Sequence, residues 1–151
     1  MARSRRSQRL MAFQLLYSQE FQSCASEEEL REAFLSFPMQ DGAKREGAGP
    51  AEGFAWELVL GVWQMREQLD DVIARYSRNW RIERVGRVEL TILRLGVYEI
   101  LREKDVPPLV AINEALELDR QFGDPKSFSF VNGILDSVYR AEEKKENGTV
   151  C

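Results

Sequence analysis

The chain has 151 residues, 44% of them hydrophobic, which fits one domain with enough apolar material for a sizeable core. It holds no histidine and two cysteines, Cys24 and Cys151, which excludes histidine-based catalysis, histidine-containing zinc clusters and a disulfide framework. Neither a membrane span nor a signal peptide can be read from it, so a cytoplasmic protein without metal or cofactor is expected.

The net charge of −4 conceals an arm, residues 1–9, in which Arg3, Arg5, Arg6 and Arg9 stand without an acid. Arginine forks bind phosphate oxygens and displace condensed counterions, so such an arm suits a nucleic acid; a solvated arm with no ligand is the competing reading. The arm runs into a first helix, where Leu10, Phe13, Leu16, Tyr17 and Phe21 recur at helical spacing. If that helix extends backward, Arg5 or Arg6 shares a face with Arg9.

Ser26 and Glu29 have capping-box spacing, and Leu30, Phe34 and Phe37 form a stripe that Pro38 ends. Residues 38–53, with four glycines and two prolines, read as a loop. Phe54, Leu58, Val62, Met65, Leu69, Val72 and Tyr76 then predict a long helix over about residues 51–76. The segment 85–101 is apolar on more than one face, as a central buried helix would be. Pro107 and Pro108 stop it, a helix over 111–122 follows, and Gly123 is expected as its left-handed cap. Phe128, Val131, Leu135 and Val138 mark a last helix. From Glu142 the periodicity is lost, so the helical domain is bounded at 10–141 and residues 142–151 are predicted to be a disordered tail. No alternating strand pattern occurs, and the class is all-α.

Arg75, Arg78, Arg81, Arg84 and Arg87 recur every third residue around Trp80. They suit either a stacking platform for single-stranded RNA or a junction plugged by Trp80, with the arginines paired to surface acids. Asn113-Glu114 and Asn132-Gly133 contain groups used in active sites. Within helices such residues more often tie elements together by hydrogen bonds, and Gly133 would permit close helix approach.

Four segments carry a resemblance. The Arg-Arg-x-x-Arg arm, Ile92-Leu93-Arg94-Leu95-Gly96-Val97-Tyr98-Glu99, Ala111-Ile112-Asn113-Glu114-Ala115-Leu116-Glu117-Leu118 and Phe130-Val131-Asn132-Gly133-Ile134-Leu135-Asp136 resemble the NusB family in content, order and spacing. The likeness runs from about Arg5 to Tyr139. It implies about seven helices arranged as two three-helix bundles packed together, and a bacterial RNA-binding antitermination factor that is not an enzyme. It further implies binding of single-stranded boxA-type nascent RNA, as a heterodimer with the ribosomal protein NusE, within the transcription elongation complex of ribosomal RNA operons. A homodimer of the free chain is left open.

By position, Arg5, Arg6 and Arg9 match the family's RNA-contacting arm, with Arg3 counted beside them as RNA-binding, Phe130 lies at the edge of the RNA surface, and Lys126 adds a cation there. Tyr17, Glu83 and Glu89 match positions that meet the protein partner. Tyr17 equally suits a half-buried core aromatic, and Glu83 and Glu89 equally suit acids at a helix N-terminus. Asp119-Arg120 stands where many members have a small residue and lysine, and Phe128 is an added aromatic. Two other readings compete: a detached targeting domain of an RNA methyltransferase system, against which no Pro-Cys pair or glycine-rich cofactor loop is found, and an adaptor whose arm binds an acidic protein.

Overall fold

The computed structural model describes residues 4–37, 51–77 and 84–148, and every regular element among them is helical. Among the described residues six α-helices occur: α1 (Arg5–Ser18), α2 (Glu27–Ser36), α3 (Phe54–Tyr76), α4 (Arg87–Arg102), α5 (Pro108–Phe122) and α6 (Phe128–Gly148). A 3-10 turn, Pro125–Ser127, leads into α6. The chain divides into two units, residues 1–64 and 65–151, with the boundary inside α3. No helix among the described residues is long and apolar enough to cross a membrane.

In the first unit, Ser4 caps α1, its Oγ accepting the Ser7 N–H at 3.1 Å. The helix therefore takes in Arg5, Arg6 and Arg9, as the backward extension of the first stripe requires. The capping box of α2 forms with one change. Ser26 Oγ accepts from Glu29 N at 3.2 Å, while the Glu29 carboxylate accepts from Ala25 N at 2.8 Å, one residue before the cap. This unit buries Phe13, Leu15 and Leu16 of α1, Leu30 and Phe34 of α2, and Trp56, Leu58 and Val59 of α3. Each such side chain contributes about 1.5–3 kcal/mol on leaving water.

In the second unit the central helix is buried as expected: every residue of α4 from Thr91 to Val97 is buried. Its polar members are satisfied. Thr91 Oγ1 donates to Arg87 O at 2.7 Å, and Arg94 forks onto Asp70 of α3, with Nε to Oδ1 at 2.7 Å and a terminal nitrogen to Oδ2 at 2.9 Å. Gly96 sits where α4 meets its neighbours: a Cβ there would lie 2.9 Å from Leu135 Cδ2 and 3.4 Å from Ala115 Cβ. Helices α4, α5 and α6 pack on one another.

Several local expectations change. Gly133 has nothing within 4 Å of a built Cβ, so the close approach belongs to Gly96 instead. Asn113 and Asn132 are exposed on their helices and do not tie elements together. Helix α5 starts at Pro108 rather than at 111, because a proline at the first helical position loses only an N–H that has no helical partner. Gly123 follows α5 in an extended conformation, φ −90° and ψ 177°, not left-handed. What requires glycine there is space, since a Cβ would overlap Asp119 Oδ1. Finally, α6 continues to Gly148, so residues 142–148 are helical where disorder was predicted. This end is sustained by good helix formers and the Lys145–Glu142 pair at 3.3 Å rather than by an apolar face.

Candidate nucleic-acid interface

The first basic cluster is built on the start of α1. Its first turn contains Arg5 and Arg6 and no acid. A helix N-terminus already carries partial positive charge, so acids there stabilise and cations oppose the dipole. The arrangement is therefore one that favours an anion. Arg5 and Arg6 are exposed. Arg5 lies over the Phe54 ring, 5.1 Å from its centroid, and Arg9 lies at 5.3 Å from the same ring.

Phe54 is held beneath them by two devices. Gly53 adopts φ 94°, in the left-handed region that glycine alone enters freely, and so turns the chain into α3. Gln8 Oε1 accepts the Ala55 N–H at 3.2 Å, fixing the start of α3 against α1. Nothing in the local pattern singles out Gln8, and Phe54 reads in sequence as one more member of a core stripe.

Arg9 differs from its expected place. It is 3% exposed, so its guanidinium packs at the base of the cluster rather than lying open with Arg5 and Arg6. Arg3, and with it Arg78, Trp80, Arg81 and Glu83, lies outside the described residues.

Tyr17 is half-buried in an aromatic series that runs from α1 into the turn after it, with centroids 6.1 Å from Phe13 and 5.2 Å from Phe21. Phe21 is 62% exposed, so the series runs from the core of the first unit to solvent.

The second cluster belongs to the second unit. A cavity of about 290 Å³ is lined by Arg84, Gly86, Glu89, Lys126, Ser127 and Phe130, among others. Lys126 is exposed and Phe130 half-buried, so a cation and an aromatic face share one opening. Two carboxylates shape the turn that carries them. Glu89 Oε1 accepts the Asp124 N–H at 3.0 Å, and Asp124 Oδ1 accepts the Lys126 N–H at 2.9 Å.

Glu89, expected as an exposed acid at the start of the central helix, is 9% exposed and engaged in this turn. Its carboxylate occupies the space that the missing side chain of Gly86 leaves. Beneath the turn lies Asp119, 2% exposed. Burial foremost, then the neighbouring Glu89 and Asp124 carboxylates, push its carboxyl above the usual range, although the Ser127 hydrogen bond acts the other way. Among the described residues no group of three or more metal-ligating side chains is found.

The NusB family model matches residues 6–140. Among characterised relatives, the transcription antitermination protein NusB of Nitratidesulfovibrio vulgaris (strain DP4) is 54% identical over 93% of this chain and 90% of its own length. The protein of that name from Myxococcus xanthus is 40% identical, covering 93% of this chain and 98% of its own. Of solved structures, T. maritima NusB superposes with a TM-score of 0.76 at 34% identity, covering 97% of this chain and 99% of that one. The antitermination factors NusB and NusE in complex with dsRNA give 0.70 at 28% identity, with 93% and 99% covered.

Proposed function

The chain belongs to the NusB family of transcription antitermination proteins, RNA-binding factors without catalysis of their own, and we propose that it binds boxA-type nascent RNA jointly with NusE. The observation that carries this reading is the first turn of α1, with two exposed arginines, no acid and the positive end of the helix together. Cations and the positive end of a helix together favour an anionic ligand. A related structure containing NusB, NusE and RNA supports the choice of partners.

In this reading Arg5 and Arg6 contact phosphates directly, with Arg3 beside them in sequence. Arg9 and Phe54 form the platform that holds Arg5, and in the second unit Lys126 and Phe130 supply a cation and a stacking face for RNA. Tyr17 in the first unit, and Glu83 and Glu89 in the second, serve contacts with NusE. The arrangement of two three-helix bundles that the family resemblance implies is retained as part of the same proposal.

Titrating labelled boxA-type RNA with the chain, with purified NusE and with both tests it. The pair should bind more tightly than either protein, since each supplies phosphate contacts. Glu89→Gln should weaken NusE binding about tenfold while the amide oxygen still accepts from Asp124 N. Unchanged NusE affinity in that variant would remove Glu89 from the partner surface, and equal RNA affinity with and without NusE would refute joint binding.

A further inference from the structure

Asp119 of α5 has no part in the RNA reading, yet it lies directly under the turn that presents Lys126. Ser127 Oγ is 3.1 and 3.2 Å from the two Asp119 carboxylate oxygens and 2.7 Å from the carbonyl oxygen of Asp124. A hydroxyl has a single proton to donate. With Asp119 ionised, Ser127 can satisfy the carboxylate or the carbonyl, and the other contact sets oxygen lone pairs against each other. A proton on Asp119 removes the conflict: the acid donates to Ser127 Oγ, and Ser127 donates to Asp124 O.

The surroundings act in the same direction. Glu89 from α4 and Asp124 from the turn both face the buried carboxyl, which sits against Gly123 in space no Cβ could share. The cations Arg84 and Lys126 line the outer cavity, and the adjacent Arg120 is paired with Glu117. The chain contains no histidine, so no imidazole titrates between about pH 5 and 8.

We propose that Asp119 is a positioning residue for RNA binding: its proton, donated to Ser127, holds the Asp124–Ser127 turn and thereby presents Lys126 and Phe130 to the RNA. The inference rests on the RNA reading above. It makes RNA affinity fall as pH rises, because deprotonation leaves Ser127 Oγ able to satisfy only one of its two partners at the turn.

The test uses the full chain with a fluorescein-labelled boxA-type RNA, followed by anisotropy from the usual carboxylate range upward through neutral pH. The Asp119 carboxyl carbon is followed by NMR without RNA over the same range. In the parent, affinity should drop about three- to tenfold across the Asp119 titration seen by NMR, the worth of one hydrogen bond. Asp119→Asn, whose amide donates as the protonated acid does, should keep the high affinity at every pH. Ser127→Ala should bind weakly throughout with no step.

A parent affinity that ignores the Asp119 titration overturns the proposal. So does a step that persists in Ser127→Ala, which would assign the effect to charge alone, and so does a carboxyl that titrates in the ordinary range. If the parent binds no RNA at any pH while Asp119 titrates high, the RNA reading fails and takes the proposal with it.

Discussion

One substitution made at two glycines should move stability in opposite directions. Gly96 of α4 and Gly133 of α6 both lie in helix interiors, where alanine is favoured over glycine by about 0.8–1 kcal/mol. At Gly133 nothing lies within 4 Å of the added methyl, so Gly133→Ala should realise that gain in full. At Gly96 the methyl would meet Leu135 at 2.9 and 3.3 Å and Ala115 at 3.4 Å, and Leu135 is fully buried. Leu135 must move inside a filled core, an overpacking cost of about 1–3 kcal/mol that outweighs the propensity gain. The net loss should reach about 2 kcal/mol, and because the propensity gain is common to both variants they should differ by the overpacking cost, roughly 1–3 kcal/mol. At about 2–4 °C per kcal/mol for a chain of this size, thermal melts would separate them by roughly 2–12 °C. A Gly96→Ala protein as stable as Gly133→Ala would show that the helices are not in this contact.

Two further outcomes follow from buried charge. Asp119 has a raised pKa in the folded state, so the folded chain holds the proton more tightly than the unfolded one. Stability is then lost as pH rises through the folded value. Asp119→Asn should match the parent below the usual carboxylate range and exceed it at neutral pH in urea melts, and an equal gain at every pH would contradict the linkage. Asp70→Ala removes the bidentate acceptor of the Arg94 guanidinium, whose side chain is 10% exposed against 30% for Asp70, and should cost about 1–3 kcal/mol. A loss below a few tenths of a kcal/mol, read from the urea midpoint, would mark the pair as incidental.

What could be read from the sequence was what periodicity encodes. Helix α4 was legible as central because Ile92, Leu93, Leu95 and Val97 crowd more than one face, and all four are buried. The Ser26 cap was legible because its partner is three residues away. Features set by distant residues were not. Glu89 looks like a solvated first-turn acid, and its burial depends on Asp124, 35 residues on. Phe54 becomes a platform for Arg5 and Arg9 only through Gln8, which reaches Ala55 across 47 residues. A stripe also cannot say which glycine faces another helix: Gly133 reads as the close approach, and Gly96 makes it. The helical end after Glu142 left no signal because local pairs sustain it and no buried face does.

The salt dependence of RNA binding tests the central claim most directly. On single strands each phosphate contact contributes a slope of about −0.7 in log affinity against log salt, so three or four contacts give roughly −2 to −3. Replacing Arg5 and Arg6 together by alanine removes two exposed cations from the first turn of α1 without touching a buried apolar residue. The slope should become shallower by about 1.4 and the affinity at low salt should fall, with the helical circular dichroism spectrum unchanged. An unchanged slope and affinity in a folded double variant would show that the arginine-bearing start of α1 is not where this protein holds RNA.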